Sequence, residues 1–234
     1  MGTETQHHAL KDGTTLAISR NGNHQYWLDD GVKVPSVTGL TGHIDSDGFG
    51  TGMGWAMKIA REHDGDLDAP RRVSKEAMDS GTALHDDIDQ YIKSAMVAEG
   101  NPAFVAWLHE VGEHKEWLAA EQFVFNRPLA YGGTADAFSL SPEWGSRDAV
   151  IWDWKSKAPE SYAKYGAGIK DHAQLAAYAM ALREMGSILA PVSGYIAYVM
   201  RDGSGVDVVP VDLEQGWELF QASRTLSLLV KASK

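Results

Sequence analysis

The segment from Ala149 to Lys155 constrains the fold more than any other part of the chain. Four apolar residues, Ala-Val-Ile-Trp, lead into an acid at Asp153 and a base at Lys155. Residues two apart on a strand share a face, so a strand here projects Asp153 and Lys155 together and turns Trp152 and Trp154 the other way. The apolar run predicts a central strand, in which two buried charges must be compensated by each other or by a bound ion.

An internal salt bridge would explain an isolated Asp-x-Lys pair, but the preceding segment favours a metal site. Asp136 lies in a strand-like run, 133–140, that would pair with the Asp153 strand in a three-stranded antiparallel meander. Two close carboxylates repel each other unless a proton or a cation lies between them. Oxygen ligands suit Mg²⁺ or Mn²⁺, and a metal beside an ammonium group is an arrangement that hydrolyses phosphodiesters.

The periodicity of the remaining chain predicts a single α/β (α+β) domain over residues 1–234. We expect a central mixed sheet that contains the antiparallel meander and is flanked by helices. Residues 1–73 would form an N-terminal β-meander and helical extension, and residues 74–234 the core. The predicted strands are 14–20, 25–28, 32–34, 121–126, 133–140, 149–155, 194–200 and 206–211; the predicted helices are 55–63, 74–98, 101–117, 169–185 and 213–231, with a loop at 156–168.

Composition excludes several kinds of site. The chain has no cysteine, which rules out disulfides, cysteine-ligated zinc and iron–sulfur clusters. The 32 acidic and 21 basic residues give a net charge of −11, so nucleic acid would have to be held by a local groove, bound cations or a partner. No segment resembles a signal peptide or a membrane span, which predicts a cytoplasmic protein without a membrane partner.

Two helical motifs place polar side chains on single helix faces. Gly81 and His85 are four residues apart, as are Gln174 and Tyr178, and residues at this spacing lie on one face. The histidine is either a ligand or an ordinary structural residue, and the amide–phenol pair belongs either to a site or to a core hydrogen bond.

Taken in chain order, these segments resemble the RecB-like branch of the PD-(D/E)XK nuclease superfamily. The branch includes the RecB nuclease domain, Cas4 proteins, the mitochondrial genome maintenance exonuclease and many phage exonucleases. Ala135 stands where the superfamily's name expects proline, and Asp153 is the shorter of the two acids that the name allows. The resemblance spans about residues 80–180 and rests on four motifs: Gly81-x3-His85, Gly133-x2-Asp136, Asp153-x-Lys155 and Gln174-x3-Tyr178.

The resemblance implies a restriction-endonuclease-like core and a nuclease that uses Mg²⁺, with Mn²⁺ as a substitute. Glu121, on the preceding strand, is a candidate auxiliary acid outside the implied ligand set. The implied site residues are His85, Asp136, Asp153 and the backbone carbonyl of Trp154 as metal ligands, Lys155 as the group that assists the attacking water, and Gln174 and Tyr178 as residues that organise the site and contact the nucleic-acid backbone.

The resemblance also implies a substrate and a setting. We expect DNA that is single-stranded or has free ends, cleaved by an exonuclease in phage-type recombination, replication or repair. A recombination or single-strand-binding protein is the expected partner, and the bacterial host cytoplasm the location if the gene is phage-borne. Tyr162 and Tyr165, in the loop after the active-site strand, would either stack on bases or anchor the loop.

Two other functions compete with this hypothesis. His63-Asp64 and His85-Asp86 both supply the dipeptide of HD-type metal phosphohydrolases, but that fold is all-helical, whereas Asp136 and Asp153 fall on predicted strands. A non-catalytic protein with a nuclease fold that only binds DNA is the second alternative. The complete set of two acids and a lysine argues for catalysis, and metal-dependent activity would discriminate.

Overall fold

The computed structural model describes residues 3–28, 31–44, 51–141 and 147–233. Within these ranges a five-stranded mixed sheet lies between helices, and a four-stranded sheet precedes it in the chain. This architecture confirms the predicted fold class. Because Asp136 and Asp153 lie on strands of the larger sheet, it also differs from the all-helical HD-type fold.

The elements are numbered in chain order. The strands are β1 (Thr3–Ala9), β2 (Thr15–Asn21), β3 (Tyr26–Leu28), β4 (Lys33–Val34), β5 (Trp117–Asn126), β6 (Tyr131–Leu140), β7 (Ala149–Lys157), β8 (Pro191–Met200) and β9 (Val206–Val211). The helices are α1 (Val37–Leu40), α2 (Thr51–Glu62), α3 (Ala69–Ser94), α4 (Pro102–Glu110), α5 (Pro159–Tyr165), α6 (Ile169–Met185) and α7 (Leu213–Ala232).

The larger sheet has the strand order β5-β6-β7-β8-β9. Strands β5, β6 and β7 form the predicted antiparallel meander, and β8 lies parallel to β7 before β9 returns antiparallel to β8. Strand β7 is therefore central, as its apolar sequence predicts. Its parallel neighbour β8 is reached through α5 and α6, because parallel strands need a crossover connection.

Helices cover both faces of this sheet. Helix α6, rich in buried alanines, packs with α7 on one face, where the Tyr131 hydroxyl donates a 2.9 Å hydrogen bond to the carbonyl of Ala177. Helices α3 and α4 cover the other face, where the rings of Trp107 and Trp154 meet edge to face with centroids 5.3 Å apart. Trp152 packs in the same cluster, whereas Asp153 contacts Gln174 of α6, so both tryptophans of β7 lie on the face opposite to Asp153, as predicted.

The N-terminal sheet packs against β5 rather than standing apart. Ile18, Tyr26, Phe123 and Phe125 share one buried cluster, which joins the two sheets. Strand β1 was not predicted from the sequence. Its residues are mostly exposed and polar, so the apolar alternation that marks a half-buried strand is missing there.

Several further boundaries differ from the sequence prediction. Helix α3 begins at Ala69, and α4 ends at Glu110 so that β5 starts at Trp117. The segment expected to be a loop after β7 contains α5, which Pro159 opens at the first helical position, where its missing N–H costs nothing. No helix in the described ranges is long and apolar enough to cross a membrane.

Candidate active site

The predicted site residues meet where β7 separates from β6. The two strands pair from Ala137–Trp152 to Leu140–Ala149, whereas β7 continues beside β8 as far as Lys157. At the point of separation, the Asp136 carboxylate accepts a 2.9 Å hydrogen bond from the backbone N–H of Trp154. The side chain thus replaces a hydrogen bond between the two strand backbones. It satisfies the Trp154 N–H, which lies beyond the last backbone pair of β6 and β7.

Three side chains that can bind a metal, which we call the ligand group, converge beside this hydrogen bond. His85 of α3, Glu121 of β5 and Asp136 of β6 each offer one ligand atom, and these atoms lie within 4.8 Å of one another. Nδ1 of His85 is 3.6 Å from Oδ2 of Asp136. The other ring nitrogen, Nε2, is 3.1 Å from the carbonyl oxygen of Trp154.

The donor set fits a small divalent cation. Carboxylate and carbonyl oxygens are the ligands that Mg²⁺ and Mn²⁺ prefer. The donors are oxygen atoms and one imidazole, with no sulfur. The structure therefore brings together three of the four predicted ligands and adds Glu121 to them.

Glu121 reaches the site through an unusual backbone conformation. Its φ of 50° lies in the left-handed region, which costs a residue other than glycine about 1 kcal/mol or more. Ala120 pairs with Ala137 and Gln122 with Ala135, so Glu121 lies at the register position opposite Asp136. The sequence motifs leave Glu121 outside the ligand set; the available signal was its position on the strand beside Asp136, but the left-handed turn itself has no sequence signature.

The electrostatics of Glu121 suit a cation site. Burial and the nearby Asp136 carboxylate raise the pKa of Glu121 to about 7, against the opposing effects of His85 and Arg20. Without a cation, Glu121 is therefore partly protonated at neutral pH. A divalent cation held by the two carboxylates would offset their repulsion.

Asp153 is not one of the three side chains of the ligand group. It is buried in the sheet and pairs with the predicted lysine, Lys155. The Asp153 side chain is fully buried, and its Oδ2 lies 2.5 Å from Nζ of Lys155. Burial raises the pKa of Asp153, and the lysine opposes this rise. The close ion pair explains how two charges are accommodated in a central strand, and a direct bond from Asp153 to metal remains a prediction.

Lys155 keeps its proton at neutral pH. Burial acts to lower its pKa, but the neighbouring carboxylates, Asp153 first, outweigh burial and raise it. The side chain also lines the cavity that contains Asp136 and His85. It is thus a positive charge next to the ligand group, suited to orienting water and balancing negative charge rather than to removing a proton.

Gln174 and Tyr178, one turn apart on α6, hold the buried side of the site. The amide nitrogen of Gln174 donates to the Tyr178 hydroxyl at 3.0 Å and to Oδ1 of Asp153 at 3.4 Å. Only 9% of Gln174 and 3% of Tyr178 are exposed. The geometry agrees with the predicted organising role, and contact of these residues with nucleic acid stays a prediction.

The two motif glycines differ in their surroundings. A Cβ on Gly133 would lie 2.4 Å from Cε1 of Tyr178, so only glycine lets β6 pass the tyrosine ring. A Cβ on Gly81 would be 3.9 Å from Cβ of Ser156, which is ordinary contact. Close approach is therefore a steric requirement at Gly133 and not at Gly81.

The N-terminal sheet forms one wall of the site. Arg20, His24 and Tyr26 line the same cavity of about 210 Å³ as His85, Glu121, Asp136 and Lys155. The Arg20 guanidinium donates to the Thr134 hydroxyl at 3.1 Å and lies 3.8 Å from Oε2 of Glu121. These three residues were not predicted from the sequence, because nothing in their local sequence ties them to strands that lie about a hundred residues later.

Comparison with known proteins supports the assignment that this geometry suggests. The sequence profile described as "PD-(D/E)XK nuclease superfamily" matches residues 24–223. No curated protein matches the sequence. A solved structure titled "Crystal structure of SSO0001" is 13% identical, with a TM-score of 0.33, over 62% of this chain and 87% of its own; this likeness is too distant to add to the assignment.

Members of this superfamily are nucleases that use divalent metal ions, in agreement with the ligand group at the β6–β7 separation. The profile match covers most of the chain, and the motif residues identified in the sequence converge on this site. The chain therefore belongs to the PD-(D/E)XK nuclease superfamily.

Proposed function

We propose that the protein is a Mg²⁺-dependent deoxyribonuclease that acts on DNA ends, with Mn²⁺ as an effective substitute. The observation that carries this proposal is the convergence of His85, Glu121 and Asp136 in one cavity that Lys155 also lines. Phosphodiester hydrolysis needs positive charge at the phosphate and a water molecule held for attack.

Each group has a role in this chemistry. A divalent cation held by His85, Glu121, Asp136 and the Trp154 carbonyl would polarise the phosphate and acidify a water molecule. Lys155 supplies a fixed positive charge that orients the attacking water and offsets charge developing on the phosphate. Asp153 holds that ammonium in place, and Gln174 holds Asp153 from the other side.

Preference for ends is supported by the resemblance to RecB-like exonucleases. The site is a small cavity at the separation of two strands, walled by the N-terminal sheet. We further propose single-stranded DNA as the favoured substrate, and a recombination or single-strand-binding protein as the partner that would deliver it.

The direct test is incubation with end-labelled single- and double-stranded DNA, linear and circular, in Mg²⁺, Mn²⁺ or EDTA. We expect cleavage of linear single strands in either metal, little cleavage of circles and none in EDTA. Asp136→Asn should be inactive, whereas Asp79→Asn, an exposed acid paired with Lys75 elsewhere on α3, should match the wild type.

Three outcomes would revise the proposal. Equal cleavage of circular and linear single strands would remove the exonuclease assignment. Faster cleavage of labelled RNA of the same sequence would replace the substrate. Metal-dependent binding without any cleavage would favour the alternative of a non-catalytic DNA-binding protein.

A further inference from the structure

A second cleft, outside the metal site, lies between α2, α3, α5 and the end of β7. Its volume is about 800 Å³, and its walls include Trp55 and Lys58 of α2, Lys157 of β7, Lys164 and Tyr165 of α5, and Arg201 after β8. The ligand group does not use any of these side chains.

The charge of this cleft is opposite to that of the chain. Its described lining contains four cationic side chains, Lys58, Lys157, Lys164 and Arg201, and one carboxylate, Glu160, whereas the whole chain carries −11. A local basic surface on an acidic protein indicates a polyanionic ligand, because the general field of the protein would repel one.

The existing partners of these cations are weak. Lys58 lies 3.5 Å from Glu62 with 69% of its side chain exposed, and Lys157 lies 3.8 Å from Asp171. The exposed Lys58–Glu62 pair contributes little to stability, whereas the Lys157–Asp171 pair is long but more buried, with side chains 32% and 13% exposed. A phosphate group could therefore replace Glu62 beside Lys58 without a large cost.

Two exposed aromatic rings stand in the same cleft. Trp55 is 42% and Tyr165 is 72% exposed, and Nζ of Lys164 lies 4.9 Å from the centre of the Tyr165 ring. Tyr162, in contrast, is anchored, since its hydroxyl donates to Asp207 and its ring packs on Tyr198. Of the two tyrosines in this segment, Tyr165 is thus the one available for stacking.

The cleft adjoins the metal site through β7. Lys157 is two residues beyond Lys155 on the same strand, and Arg201 donates to the Ser156 hydroxyl between them at 3.3 Å. Gly81, one turn before His85 on α3, faces the same serine. A chain lying in the cleft would therefore lead directly to the ligand group.

We propose that this cleft binds single-stranded nucleic acid, with backbone phosphates on Lys58, Lys164 and Arg201 and bases stacked on Trp55 and Tyr165. A single strand fits better than a duplex, because the base faces of a duplex are already occupied by neighbouring bases. The inference deepens the proposed function, on which it relies for the direction in which the strand enters the site.

The test is the binding of a fluorescein-labelled oligothymidylate to the full chain, measured by anisotropy without turnover in EDTA and in Ca²⁺. Lys58→Glu/Lys164→Glu should weaken binding by at least about tenfold in both conditions and reduce the salt slope by about 1.4, since each phosphate contact with a single strand contributes about 0.7. The matched control is Lys11→Glu/Lys231→Glu, which alters the net charge equally at exposed positions outside both clefts.

The aromatic residues give an independent readout. Trp55→Ala and Tyr165→Ala should each weaken binding by about tenfold while leaving the salt slope unchanged, because stacking releases no counterions. Asp136→Asn should lose only the gain in affinity that Ca²⁺ provides. Thermal melting of each variant would confirm that it is folded.

The inference is overturned if both lysine double variants bind alike, or if a duplex of the same length binds as tightly as the single strand. It is likewise overturned if only an acidic peptide, and no oligonucleotide, competes for the cleft. Failure of the proposed nuclease function would look different: the wild type would bind the oligonucleotide through the cleft and not cleave it in Mg²⁺.

Discussion

The side chain of Gln6 supports Glu121 from outside the larger sheet. Its amide nitrogen donates a 2.7 Å hydrogen bond to the Glu121 carbonyl, and its amide oxygen accepts a 2.8 Å hydrogen bond from the N–H of Phe123. Glu121, whose carbonyl accepts the first of these bonds, has the left-handed φ of 50°, and its carboxylate lies beside His85 and Asp136. Strand β1 thus supports the strained backbone of a candidate metal ligand on β5.

The first prediction is that Gln6→Leu weakens metal binding although Gln6 cannot reach the metal site itself. Loss of the amide leaves two backbone groups of β5 without partners, which should lower the free energy of unfolding by about 1–3 kcal/mol. Without this support, the backbone of Glu121 should leave its left-handed conformation. Mn²⁺ affinity should then fall by about tenfold, as it does in other metal sites when a residue that supports a ligand is replaced.

Isothermal titration with Mn²⁺ and urea denaturation in EDTA would measure the two effects separately. Thr5→Val on the same strand is the control, because its hydroxyl bonds Ser19 at an exposed position away from Glu121. Loss of stability without loss of metal affinity would show that Gln6 supports the fold and not the ligand.

The second prediction contrasts the two motif glycines. Gly133→Ala should destabilise the protein by about 1–3 kcal/mol, since its Cβ would overlap the buried Tyr178 ring. Gly81→Ala should be neutral or stabilising by up to about 1 kcal/mol, because its site has room and alanine favours helix. Chemical denaturation gives both values, and Gly133→Ala/Tyr178→Leu should recover part of the loss if the overlap is its cause.

Much of the core was predictable because its signals are local. The apolar run before Asp153 predicts a central strand, and α6 was predicted with the bounds that the structure has, Ile169–Met185. An apolar strand and a long helix can each be recognised from the hydrophobic pattern of a short window of sequence. The resemblance then predicted that the motif residues would meet.

The missed features depend on distant contacts. The φ of Glu121 is supported by Gln6, and Arg20 reaches the site wall by bonding Thr134. Strand β1 has little apolar patterning of its own and is defined by pairing with β2. Such relationships arise from tertiary packing, so no window of sequence contains them.

The third prediction concerns pH. In the metal-free protein the pKa of Glu121 is raised from 4.5 to about 7, so a cation must displace a proton below pH 7. Mn²⁺ affinity should therefore rise as the pH increases towards about 7 and level off above it, and calorimetry in buffers of different ionisation enthalpy should detect the released proton. Glu121→Gln should bind the metal more weakly and abolish this proton release.

The same shift predicts the stability of the metal-free protein. A carboxyl with a raised folded-state pKa binds its proton more tightly when folded, so its contribution to stability falls as the pH rises from 4.5 to 7. In EDTA at pH 8, Glu121→Gln should unfold at a higher urea concentration than the wild type. Its free energy of unfolding should be greater by about 1–3 kcal/mol. This advantage should vanish near pH 4; an equal gain at both pH values would assign it to something other than the charge.

The last prediction separates metal binding from chemistry within the acid–acid–lysine set. Asp136→Asn should lose most of its Mn²⁺ affinity, since Asp136 is a member of the ligand group and also fixes the Trp154 N–H. Lys155→Met should keep Mn²⁺ affinity within a few-fold yet lower single-turnover cleavage by about 10²–10⁴-fold, because the role we propose for its ammonium is to act on water and phosphate rather than on the metal. Asp153→Asn tests the remaining assignment: it should resemble Asp136→Asn if Asp153 binds the metal directly, and Lys155→Met if its role is to hold the ammonium 2.5 Å away.

Lys157→Met, two residues along the same strand, is the control for Lys155→Met. It should retain single-turnover cleavage at saturating DNA, where a loss of affinity no longer matters. Near-normal cleavage by Lys155→Met would mean that another group orients the water, and the proposed role of the lysine would be wrong.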